Sequence, residues 1–211
     1  MNYVTKTLTD AAIGVGIADD PAALDVLKKP GCAAAIWRRQ MPSNVENWLA
    51  HLAPDQLPKG RTILRPDAVG ETVGHLYDIA QTPQCRERDW LQNDITDMAK
   101  MFARLISAQF LRLRLDVITT NACRKFHIDA VTVRLVCTYR GSGTQYGIST
   151  DGDDPHRVFQ VATGAPIVLR GTLWPEDPPS GLLHRSPPIE GTDETRLLLV
   201  LDPVFDPEDE T

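Results

Sequence analysis

Two hydrophobic periods divide this chain. Between Arg86 and Phe110 apolar residues recur at steps of three and four, at Trp90 or Leu91, Ile95, Met98, Phe102, Leu105 and Ile106. That spacing predicts a long amphipathic helix with one face on a core. Directly afterwards, Leu111-Arg-Leu-Arg-Leu-Asp-Val117 alternates apolar with charged positions, the period of a half-buried strand. Lys125–Asp129, Val131–Tyr139, Val158–Val161, Pro166–Leu169 and Arg196–Leu201 are further strand candidates. They are separated by turn signals at Gly141-Ser-Gly143, Asp151-Gly-Asp-Asp-Pro155, Gly164 and Pro175 to Gly181.

Upstream of the long helix the pattern is mainly helical with one short strand. Asp19-Asp20-Pro21 predicts a capped helix start leading into residues 22–29, which Pro30-Gly31 ends. Ala33-Ala-Ala-Ile-Trp37 reads as a short buried strand, and Ser43 as the cap of a helix through Leu52, with Glu46 completing a capping box. Helices followed by many short strands point to an α+β chain whose sheet closes into a barrel or sandwich. The 211 residues fit a single domain: a lead-in over 1–110, main barrel strands over 111–202, and an acidic tail over 203–211.

Composition narrows the partners. With 22 basic against 28 acidic residues the net charge is −6, so a nucleic-acid partner has no general electrostatic support. No apolar run is long enough for a membrane span, and Met1-Asn-Tyr-Val-Thr-Lys6 lacks the pattern of a leader, which predicts a cytoplasmic protein. The four cysteines form no C-x-x-C pair and are expected as free thiols. His51, His75 and His156 fall in helical or turn segments and suggest no site. Nothing in the composition speaks to oligomeric state.

The chemistry concentrates in Phe126-His-Ile-Asp129. Residues two apart on a strand share a face, so His127 and Asp129 can reach one ion while Ile128 points away. His184, fifty-five residues after Asp129, can complete a two-histidine, one-carboxylate set that leaves positions open on a non-haem iron. Arg196 opens the last strand twelve residues later and can grip a dicarboxylate in two-pronged fashion; Arg140 is a substitute for it. Continuing the face of His127 and Asp129 through the odd positions 131 to 139 turns Cys137 and Tyr139 inward, where Tyr139 can bond a co-substrate carboxylate. Two rivals stand beside this reading. His127, Asp129 and Arg196 can be a strand-surface pair and a salt-bridge partner with no ion, or Cys123 and Cys137 can join the two histidines in a closed tetrahedral zinc site.

The ordered series of His127, Asp129, His184 and Arg196 resembles the Fe(II)- and 2-oxoglutarate-dependent oxygenases. The resemblance implies a double-stranded β-helix (a jelly-roll or cupin-like barrel) with N-terminal helices packed on it. It also implies Fe(II) on His127, Asp129 and His184, and 2-oxoglutarate on Arg196 with Tyr139 or Arg140, with no catalytic residue beyond the metal ligands. A closer resemblance is carried by Cys123-Arg-Lys-Phe-His-Ile-Asp129, Val133 to Thr144, Gly181-Leu-Leu-His-Arg-Ser-Pro-Pro188, Lys28-Lys-Pro-Gly31 and Ala35-Ile-Trp37. These segments resemble the bacterial family catalogued as domain of unknown function (DUF) 1826, from which the chain departs at Tyr146, where Trp is usual. That family's resemblance implies a part in zinc homeostasis under metal limitation. Three expectations follow: a metal-dependent oxygenase acting on a small molecule or a protein side chain; a non-catalytic zinc-binding protein; or a cupin-like binding module. A pocket walled by Trp174, Tyr146 and Arg140 is expected for the substrate.

Overall fold

The computed structural model describes residues 11–149 and 151–206. Met1–Lys6, where no leader pattern was expected, and most of the acidic tail lie outside the described residues. The strands form two sheets. The larger contains β1 (Gly14–Ala18), β2 (Cys32–Trp37), β3 (Gly60–Leu64), β4 (Phe110–Ile118), β5 (Val133–Arg140), β8 (Pro166–Arg170) and β10 (Arg196–Val204), in the order β1-β2-β8-β5-β10-β4-β3. The smaller has β6 (Gln145–Ile148), β7 (Phe159–Gln160) and β9 (Leu182–Arg185) in the order β7-β6-β9. β1 and β2 run parallel and the other pairings between these strands are antiparallel.

Strand alternation sorts side chains into two cores. Leu111, Leu113 and Leu115 on β4, Leu135 and Cys137 on β5, and Leu197, Leu199 and Leu201 on β10 face a helical layer. That layer is α1 (Ser43–His51), α2 (Val69–Ile79) and α3 (Arg86–Ile106). Val136, Leu198 and Val200, on the intervening positions, pack instead with Val161 and Leu182 toward the smaller sheet. The molecule is therefore layered as helices, large sheet and small sheet, a mixed α/β arrangement.

α3 follows its predicted stripe, with Leu91, Ile95, Met98 and Phe102 buried. It ends at Ile106, before the expected Phe110, because Ser107 turns left-handed with φ 57° and caps it. The lead-in contributes three strands to the large sheet, where one was expected: the glycine-bearing segments of β1 and β3 carry little apolar signal. Residues Pro21–Lys28 form a 3₁₀ helix whose Ala23 amide donates to the Asp20 carboxylate at 3.0 Å. Ser43 does not cap α1; Pro42 holds that position with no side-chain cap. Lys125–Asp129 is not a strand but an irregular segment carrying one antiparallel bridge, His127 to His184. β10 runs on to Val204, so Pro203 and Val204 belong to the sheet rather than to a tail.

Candidate metal centre

One backbone exchange sets two imidazoles side by side. The His127 amide donates to the His184 carbonyl at 3.1 Å, and the His184 amide returns the bond at 3.0 Å. Their rings consequently lie 4.6 Å apart between centroids. Asp129 follows two residues on and is fixed through its backbone, whose carbonyl accepts from the Thr172 amide at 2.9 Å. The adjoining Val131 and Thr132 carbonyls accept from Leu173 and Gly171. Gly171 is required for this clamp, since a Cβ there would collide with the Val131 carbonyl oxygen.

The ligand atoms of His127, Asp129 and His184 all lie within 4.8 Å of one another. His184 Nε2 is 3.0 Å from Asp129 Oδ2, and His127 Nε2 is 3.5 Å from Asp129 Oδ1. His127 Nδ1 lies 2.8 Å from the Lys125 carbonyl. A carbonyl only accepts, so Nδ1 carries a proton there and Nε2 is the ring nitrogen turned into the site. Burial opposes ionisation of Asp129, but the bond and charge of His184, with the charges of Arg134 and His127, hold its carboxyl far below the usual range. Asp129 Oδ2 is nevertheless buried without an aligned hydrogen bond. Three convergent donors, one of them an orphaned buried oxygen, fit a divalent ion. Two imidazole nitrogens and one carboxylate with positions left open are the donor set of non-haem Fe(II).

Around these ligands is a cavity of about 140 Å³ between the two sheets, walled by Arg114, Asp116, Cys123, Val136, Leu198 and Val200 among others. Arg134 braces the carboxylate. Its NH1 contacts Asp129 Oδ1 at 2.6 Å, while Nε and NH2 fork onto Asp202 at 2.6 and 2.8 Å. Asp202 is 2% exposed, so this fork neutralises a buried charge and orients a candidate ligand at once. Sequence reasoning passed over Arg134 and Asp202. The signal was present as a lone charge at an even position of an otherwise apolar run, Val133-Arg-Leu-Val-Cys.

Arg196 is fully buried on the even-numbered face of β10 that also bears Leu198 and Val200. Its Nε donates to the Ser142 carbonyl at 2.7 Å and NH2 to Thr138 Oγ1 at 3.4 Å, while NH1 has no partner. Among the described residues no carboxylate pairs with it. Burial pushes the guanidinium down to about 10, against the raising charge of Glu194.

Several expected neighbours lie elsewhere. Cys137 and Tyr139 face the helices: the Tyr139 hydroxyl donates to Asp94 at 2.6 Å, and Cys137 is buried beside Arg39. The chain leaves the small sheet after Asp129 and enters the large one at Val133, so facing parity does not carry across. The closed zinc set is thereby excluded, because Cys137 is on the opposite side of the sheet from His127 and His184. Cys123 borders the cavity but is exposed and is not among the convergent donors. Arg140 donates to the Leu52 carbonyl, Trp174 packs under Arg170, and Tyr146 stacks on Phe159. None of these three lines the cavity around His127, Asp129 and His184. All four cysteines are free, and among the described residues no helix is long and apolar enough to cross a membrane.

Comparison with solved structures shows the fold. The dioxygenase for auxin oxidation from rice superposes with a TM-score of 0.53 at 11% identity, over 93% of this chain and 84% of that one. The dioxygenase for auxin oxidation 1 from Arabidopsis thaliana, in binary complex with 2-oxoglutarate, superposes with a TM-score of 0.51 at 10% identity, over 93% and 94%. No curated protein matches the chain. Residues 18–202 match the profile of the family described as "Protein of unknown function (DUF1826)". With most of its length matched, the chain belongs to that family.

Proposed function

We propose that this chain is a non-haem Fe(II) oxygenase that uses 2-oxoglutarate as co-substrate. The observation that carries the reading is the space between the two sheets holding two things together. They are the cavity of convergent His127, Asp129 and His184 donors, and, beyond its wall, the buried, unpaired guanidinium of Arg196. A buried charge without a counter-ion is costly, and a ligand carboxylate would relieve it. The likeness to a 2-oxoglutarate complex supports the same assignment.

The strand order supports a double-stranded β-helix. β4-β10-β5-β8 forms one row, and the His127 bridge with β9-β6-β7 forms the other, as in jelly rolls built from two facing sheets. In this reading His127, Asp129 and His184 hold iron, Arg134 orients Asp129, and Arg196 takes the distal carboxylate of 2-oxoglutarate. When bound, the iron supplies the redox chemistry that couples O₂ to oxidative decarboxylation of the co-substrate. Val136, Leu198 and Val200 keep water from the cavity floor. The substrate is a small molecule or a protein side chain, with no nucleic acid or membrane involved.

The test is release of succinate. Purified protein given Fe(II) and 2-oxoglutarate in air should form succinate at a low uncoupled rate, lost in His184→Ala. No succinate, together with no heat of 2-oxoglutarate binding, would refute the assignment.

A further inference from the structure

The charged face of β4 is a wall of the metal cavity. Leu111, Leu113 and Leu115 fill the core on one side, so Arg114 and Asp116 project on the other, where both line the cavity with His127 and His184. Arg114 stands directly opposite Val200 on β10 and directly opposite Arg61 on β3. Like charges facing across a strand pair repel, yet among the described residues neither arginine pairs with a carboxylate. Even Asp116, two positions along the same face, forms no ion pair with Arg114. Arg114 Nε is buried and has no hydrogen-bond partner.

We propose that Arg114, with Arg61 opposite it on β3, binds an oxyanion of the primary substrate, a carboxylate or phosphate group, at the mouth of the metal cavity. A guanidinium offers only donors, in a planar fork that matches these two groups. An anion between Arg114 and Arg61 would remove their repulsion and occupy the orphaned Nε. The site is distinct from the one assigned to the co-substrate. Arg196 lies four residues from Val200 along β10, so it stands roughly 13 Å from the Arg114 position along the strand direction. Leu198 and Val200 floor the cavity between them. Two separate arginines without counter-ions on one face of the large sheet, Arg114 in the cavity wall and Arg196 beyond it, suit two separate anions. This inference rests on the oxygenase reading only in calling its ligand the primary substrate.

The experiment titrates the Fe(II)-loaded protein, without oxygen, with inorganic phosphate and separately with benzoate, against chloride at matched ionic strength. Wild type, Arg114→Gln, Arg114→Lys and Arg196→Met are compared by calorimetry, and 2-oxoglutarate binding is measured on each. The expected result is binding of at least one probe, weakened roughly tenfold or more in Arg114→Gln, weakened less in Arg114→Lys, which keeps the charge without the fork, and largely kept in Arg196→Met. The preferred probe tells a phosphate from a carboxylate. Binding of neither anion, or equal binding by wild type and Arg114→Gln, would overturn the proposal. So would 2-oxoglutarate binding that needs Arg114 and not Arg196, since Arg114 would then serve the co-substrate. Loss of 2-oxoglutarate binding in every protein, with Arg114-dependent anion binding intact, would refute the oxygenase reading and leave this site standing.

Discussion

Replacing Arg196 by methionine separates a structural arginine from one kept for a ligand. Burial lowers its pKa from the ordinary guanidinium range to about 10, which corresponds to a cost of about 3 kcal/mol for keeping the charge in the folded chain. Neutral pH lies below both values, so the charge is present in both states and the cost is fully felt. It is relieved only as pH rises through about 10 toward the ordinary guanidinium range. Against it stand the bond to the Ser142 carbonyl, worth about 1.5–3 kcal/mol, and a long contact to Thr138. The two sides nearly cancel. Arg196→Met should therefore change stability by no more than about 1 kcal/mol, or roughly 2–4 °C in Tm, where truncating an ordinary buried side chain costs about 2–5 kcal/mol. Its effect on 2-oxoglutarate should be large. Losing a desolvated charge pair costs about 2–5 kcal/mol, at least about 30-fold in Kd. The assay is thermal and urea unfolding of both proteins with Fe(II), without oxygen, with and without saturating 2-oxoglutarate. A ligand-free loss of about 3 kcal/mol or more, or equal stabilisation of both proteins by 2-oxoglutarate, would refute the reasoning.

Other outcomes follow from the same geometry. Arg134→Met strands the buried Asp202 carboxylate and should cost about 3–5 kcal/mol in urea unfolding, most of it recovered by adding Asp202→Asn. Arg134→Lys keeps the charge without the fork and should fold, with Fe(II) affinity reduced about ten- to a hundredfold by equilibrium dialysis. Burial pushes the Cys137 thiol up to about 12 despite the lowering charge of Arg39. Iodoacetamide at pH 8 should therefore modify exposed Cys123 and leave Cys137 intact until unfolding, as read by peptide mass spectrometry.

Where one period rules a segment, the sequence was legible. The alternation at Leu111–Val117 locates β4, the apolar run from Arg196 locates β10, and the three-and-four stripe locates α3. The strand rule that places His127 and Asp129 on one side reaches the right pair by an imperfect route. The segment is a single bridge, held by Gly171 to Leu173 rather than by a ladder. That difference explains the misplacement of Tyr139 and Cys137. Parity was carried from His127 through residues 130–132, where the chain crosses between sheets and the count restarts. Arg134 takes the even position and the cavity, and Tyr139 takes the odd position and the helices. The fork to Asp202 joins residues 68 apart in the chain, a pairing that no local pattern encodes. Arg114 was visible as a charged position of β4, but whether that face meets solvent or a cavity depends on where the small sheet lies.

The central claim is that His127, Asp129 and His184 form one ion site, and anaerobic Fe(II) binding tests it most directly. Wild type and Cys137→Ser should each bind one Fe(II) per chain, and Asp129→Ala and His184→Ala should lose it while remaining folded by circular dichroism. Retention of iron by folded Asp129→Ala and His184→Ala, or its loss in Cys137→Ser, would contradict the account.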